Sequence, residues 1–232
     1  MPNAYASNYL NDKELENALI NLVEKMKEKG LVDHSMDTRE ILEKIMPALQ
    51  HAAKENKVEL TRDFLNDPAN LKKLTSVIIC ATLEIQFKDH PTLKNKFNTA
   101  ALALFLLDPE HRLEKRQELV MDEMLKLAAA ALMLARLSPR PQPGQKATPG
   151  EKEDLSLIKK IETAIEKSAD LLFEQFYGQD KYGNIHPVLA QITDSIGITE
   201  QVGKLGAGLG GLLEELANDN QLLHAPPRLE VK

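Results

Sequence analysis

A chain of 232 residues can bury one good core, or one core with a smaller unit appended. Its hydrophobic content of 43% excludes wholesale disorder; with only 4% aromatic residues and no tryptophan, the core must come from Leu, Ile, Ala, Val and Met, the mixture that helix packing uses most readily. The formal charge of −6 argues against nucleic acid or an anionic membrane as a partner, and a single cysteine, Cys80, excludes an intrachain disulfide and a cysteine-based metal site.

Asn11-Asp12-Lys13-Glu14 reads as a capping box, and Leu15, Ala18, Leu19, Leu22, Val23 and Met26 recur behind it at helical spacing. Gly30 supplies a left-handed stop. A second start, Asp37 with Glu40 three residues on, opens a helix with Ile41, Leu42, Ile45 and Leu49 on its buried face. Pro47 is expected to kink or shorten it. A short helical turn is expected around Thr61–Asn66.

Asp67-Pro68 and Asp108-Pro109 repeat one signal, an Asp N-cap followed by Pro at the first helical position. The first opens a helix through Leu71, Leu74, Ile78, Ile79, Leu83 and Phe87. It is uncharged between Lys73 and Glu84, so it is expected at the centre of the fold. His90-Pro91 should end it and start another helix containing Leu93, Phe97, Ala101, Leu104 and Phe105. The second Asp-Pro opens the longest candidate, about Pro109–Leu137, charged in its first half and apolar all round from Leu127 to Ala135.

Residues 138–150 read as an extended linker: they hold four of the 12 prolines and no large apolar residue. Helix resumes over Lys152–Tyr177, with a stripe of Leu155, Ile158, Ile161, Ile165, Leu172, Phe173 and Phe176, and Gly178 stops it. A last helical region, about Pro187 to Leu216, is expected to be interrupted by Gly197 and by the cluster Gly203, Gly206, Gly208, Gly210 and Gly211. Residues 218–232, with Pro226-Pro227, read as a tail. The fold class is therefore all-α: a helical body over 10–137, the Pro-rich linker over 138–150, and a smaller C-terminal helical unit over 151–217.

Little in this pattern carries chemistry. Gly206-Ala-Gly208-Leu-Gly210-Gly211 matches G-x-G-x-x-G, but a dinucleotide site needs that turn after a strand in a βαβ unit, and Thr199–Leu205 is not strand-like. The glycines fit better as a face on which Gly206 and Gly210, and Gly203 with Gly211, let another helix approach closely, in a segment that is flexible in isolation and orders only against a partner; a mobile hinge with no partner is the alternative. His34, His51, His90, His111, His186 and His224 stand singly, with no E-x-x-H to load a metal. Glu114, Glu118 and Asp122 share one helix face, but with Arg112, Lys115 and Arg116 beside them they read as a solvated, salt-linked surface. Cys80, in an uncharged helix, reads as a buried structural thiol. No catalytic, metal or cofactor residue is assigned, and the chain is expected not to be an enzyme.

Phe173, Phe176, Tyr177 and Tyr182 concentrate the scarce aromatics, either as a small core or as an anchor for a partner. Together with Leu172, Gly206, Gly210, Leu212, Leu213 and Leu216, the first three form the candidate partner-binding set, and the expected partners are other protein subunits met through apolar helical faces. The nine uncharged residues between Lys126 and Arg136 fall short of the roughly 20 that a membrane span needs. Met1-Pro2-Asn3-Ala4 has no basic or apolar signal region. The expected location is cytoplasmic, with any contact to the inner membrane made through a partner complex.

The capped helix Asn11–Gly30, the long Asp108–Leu137 helix before a Pro-rich linker, and the glycine-rich segment near the end together resemble the small helical accessory subunits of bacterial type IV secretion coupling complexes, the DotY-like subunits of the Dot/Icm system. The resemblance spans essentially the whole chain. It implies a cytoplasmic, non-enzymatic adaptor that helps to organise a receptor recruiting effectors for translocation in a virulence system. A secreted effector that binds proteins through its helices is the alternative, but the last 15 residues hold only Glu230 of the Glu-rich block such substrates carry. A small-ligand-binding helical enzyme is a more distant one.

Overall fold

A computed structural model describes residues 10–109, 114–137, 149–177, 197–219 and Leu222. The fold is all-α, with eight helices among these residues. Helix α1 (Asp12–Glu28) begins at the expected capping box: the Asn11 side chain accepts from the Glu14 amide at 2.9 Å, and Glu14 accepts from the Asn11 amide at 3.0 Å. It ends in a Schellman turn. Gly30, at φ +72°, donates to Lys27 O at 2.9 Å, and Leu31 donates to Met26 O at 2.8 Å.

Helix α2 (Thr38–Asn56) is capped by Asp37, whose side chain accepts from the Arg39 amide; Glu40 turns away to pair with Lys88 at 3.2 Å, so no second capping box closes. Pro47 does not shorten α2, which runs for 19 residues. The proline is exposed, so the helical hydrogen bond it forfeits lies on the wet side of the helix, where it costs least.

Thr61 caps the short α3 (Arg62–Asn66), and Asp67-Pro68 opens α4 (Pro68–Gln86) as the cap rule requires. Residues 74–83 of α4 are buried on every side. Two hydroxyls there are satisfied by the helix itself, Thr75 on Leu71 O and Thr82 on Ile79 O. The next helix does not begin at Pro91. Residues 87–98 form turns, and α5 (Thr99–Leu106) starts behind Asn98, whose side chain accepts from the Ala101 amide. His90 explains the turns: its Nδ1 accepts from the Thr92 and Leu93 amides, and Asn95 takes φ +64°. Leu93 and Phe97 are nevertheless buried, as core residues outside any helix.

Three long helices complete the fold: α6 (Glu114–Leu137), α7 (Pro149–Tyr177) and α8 (Thr199–Asp219). Pro109, the expected start of the 109–137 helix, is not helical; residues 110–113 and most of the 138–150 linker lie outside the described residues, but Pro149 and Gly150 already belong to α7. The glycine cluster does not interrupt α8, which is helical throughout. Gly197, at φ +73°, lies just before it. Leu205, Leu209, Leu212 and Leu216 put a continuous buried row on its inner side, and burying each at about 1.5–3 kcal/mol outweighs about 1 kcal/mol per glycine.

Helix α4 is central, touching α1, α2, α3, α5, α6 and α8. Helix α2 packs mainly on α5, α7 lies against α6 and α5, and α8 returns to α1, α4 and α6. Ile161, Ile165 and Leu172 of α7 and the leucine row of α8 therefore share one hydrophobic cluster with α1, α2 and α4. The return is fixed by the Asn21 side-chain amide, which donates to Leu222 O at 3.3 Å. The apolar second half of α6 is used inside the chain: Leu127 to Ala131 and Leu134 are buried.

Candidate interaction surface

The candidate partner-binding residues divide between the core and the surface. Leu172, Phe173, Leu212 and Leu216 are buried, and Leu213 is half-buried against the core. Phe173 meets Phe97 edge-on, with centroids 6.4 Å apart, and Phe97 stacks on Phe87 at 6.0 Å. The described part of the aromatic cluster thus belongs to a core that the turn segment 87–98 completes. Phe176 and Tyr177 close α7 with their backbones; their side chains, and Tyr182, lie outside the described residues.

Gly206 and Gly210 are exposed. The structure sorts the glycines of α8 onto two faces. Among the described residues, a Cβ built on Gly203, Gly206 or Gly210 would meet nothing within 4 Å, whereas one built on Gly208 would come within 2.9 Å of the Lys29 carbonyl oxygen. Gly211 belongs with Gly208, facing Lys29 Nζ at 3.9 Å, and not with Gly203 as the sequence spacing suggests. Lys29 thus lies along a glycine groove and ends on Glu215 at 3.2 Å. Helix α8 accordingly has three sides: leucines to the core, Gly208 and Gly211 to α1, and Gly203, Gly206, Ala207 and Gly210 to solvent.

Several titratable groups are held by structural contacts. Glu84 accepts from the Thr99 amide and hydroxyl, at 3.2 and 2.6 Å, and from Lys44 at 2.7 Å. Burial pushes its carboxyl up, but the Lys44 and Thr99 hydrogen bonds outweigh burial and hold it below the usual range. Burial, helped by Glu84, pushes the Cys80 thiol far above its ordinary value, as expected of a structural cysteine. Asp122 on the charged face of α6 pairs with Lys72 of α4 at 3.3 Å. Among the described residues no three His, Cys, Asp or Glu side chains are gathered as metal ligands would be.

Sequence reasoning missed one polar seam. Glu162, Glu166 and Asp170 recur every four residues on α7; His90 meets the first at 3.1 Å, and Lys96 meets the others at 3.9 and 2.7 Å. The acidic spacing is visible in the sequence, but the basic partners sit in a turn that only the fold brings opposite. No protein-family model, no characterised protein and no solved structure matches this chain.

Proposed function

We propose that the chain is a non-enzymatic adaptor that docks on a larger protein assembly through the outer face of α8, and that the assembly is a bacterial type IV secretion coupling complex. The observation that carries the reading is the glycine face. Gly203, Gly206 and Gly210 each cost a helix about 1 kcal/mol relative to alanine, and nothing in the packing of the described residues requires them. Gly208 shows the contrast, because α1 comes too close there for a side chain. Three glycines on one open side are accounted for by a second helix that approaches closer than the usual 8–10 Å between axes.

The secretion setting is supported by the layout that resembles the accessory subunits of such complexes. Attachment through a partner also suits a chain in which no described helix is long and apolar enough to cross a membrane. The test is an affinity pull-down of tagged protein from its own cells, with cross-linking and mass spectrometry, comparing the natural chain with Gly206→Leu/Gly210→Leu. Coupling subunits should be recovered in stable ratio with the natural chain, with cross-links in α8, and be lost with the variant. Undiminished recovery with the variant would move the interface elsewhere; recovery of no secretion subunit with either would remove the assignment.

A further inference from the structure

Helices α1 and α2 run antiparallel, as two pairings show: Gln50 with Asp12 at one end and Lys27 with Thr38 at the other. Along their outer seam lies a cleft of about 570 Å³, within the range of about 300–1,000 Å³ usual for ligand sites. Ile20, Leu42 and Met46 supply its apolar lining. Glu16 of α1 and Glu43 of α2 also line it, and among the described residues neither carboxylate is paired. Arg39, nearer the Thr38 end, is the one cationic side chain of the lining among the described residues.

We propose that this cleft receives a segment of a partner protein that presents a Lys or Arg side chain beside an aliphatic one. The cation is held by the Glu16 and Glu43 carboxylates, forming charge-assisted hydrogen bonds stronger than neutral ones. Its methylene stem and the neighbouring aliphatic side chain lie on Ile20, Met46 and Pro47, as long basic side chains do along apolar surface. Met46, only half-buried, has the unbranched thioether that adapts to varied partners. An acidic residue one turn along the same segment meets Arg39. This surface is separate from the glycine face of α8, so the two can fail independently.

The test uses the full chain with methyl-labelled Ile and Met, titrated with a blocked helical peptide carrying Lys one turn from Leu and Glu one turn further on. The Ile20 and Met46 methyl signals should shift saturably while Ile78, buried in α4, stays in place. Glu16→Lys/Glu43→Lys, at two exposed positions, should weaken that peptide by about tenfold and favour its charge-reversed counterpart. Equal binding of the two peptides, or shifts confined to other methyls, would overturn the proposal. Shifts of the same methyls with the concentration of the protein alone would assign the cleft to a second copy and equally overturn it.

Discussion

Replacing Gly206 with alanine should stabilise this protein, whereas the same change two residues on should destabilise it. Both positions lie inside α8, where alanine gains about 0.5–1 kcal/mol over glycine because the unfolded glycine chain has more freedom to lose. At Gly203, Gly206 and Gly210 the added methyl meets nothing within 4 Å among the described residues, so the gain is retained. The triple alanine variant should gain about 1.5–3 kcal/mol, and the melting temperature should rise about 2–4 °C for each kcal/mol. At Gly208 the methyl would sit 2.9 Å from the Lys29 carbonyl oxygen, a backbone atom that cannot swing aside. Parting α8 from α1 costs about 1–3 kcal/mol, which exceeds the helical gain. Equilibrium urea unfolding followed by circular dichroism measures all four single variants. Should Gly206→Ala and Gly208→Ala change stability in the same direction, the sorting of the glycines into an inner and an outer face is wrong.

Glu84→Gln should cost about 1 kcal/mol at neutral pH. Because the folded carboxyl is held below its ordinary value of 4.5, that stabilisation is complete above this pH and is lost as pH falls through the lowered value; urea midpoints of the two chains should therefore converge in acid. Cys80 should resist iodoacetamide in the native protein and react only from the small, rapidly reclosing open population, so that labelling slows in step with any stabilising substitution; rapid native labelling would contradict its burial. Lys96→Met should cost no more than about 1 kcal/mol, since the ion pairs with Asp170 and Glu166 are partly solvated, and should speed amide exchange in α7 more than in α4.

Where a signal is local, the sequence shows it plainly. The Asn11 box, the Asp67-Pro68 start and the Gly30 stop each satisfy backbone groups within a few residues, so no tertiary knowledge is needed to read them. The central place of α4 follows equally directly from its missing charges. The start of α5 was not legible. His90-Pro91 is a breaker followed by apolar residues, but the helix waits for Asn98, and the first turn is anchored on Glu84 of another helix. The continuity of α8 was hidden for a related reason: the penalty of five glycines is visible in the sequence, whereas the leucine row offsetting it gains its value only against α1, α4 and α6. Of the candidate interface, Gly206 and Gly210 were readable as a small-residue pair. That Phe173 and Leu212 would be drawn into the core depended on Phe97 and on the return of α8, which no local spacing records.

That return has a temporal side. Asn21 and Lys29 complete their contacts with Leu222, Gly208 and Glu215 only after α8 itself has been made. At about 5–20 residues per second, ribosomal synthesis leaves the α8-facing side of α1 bare for about ten to forty seconds. Once α4 and α6 have followed, the nascent body has a helix-binding groove and no helix to fill it until α8 emerges. A cell making this protein must either shield that groove or rely on low local concentration to keep the α8 of one chain from closing onto the α1 of another.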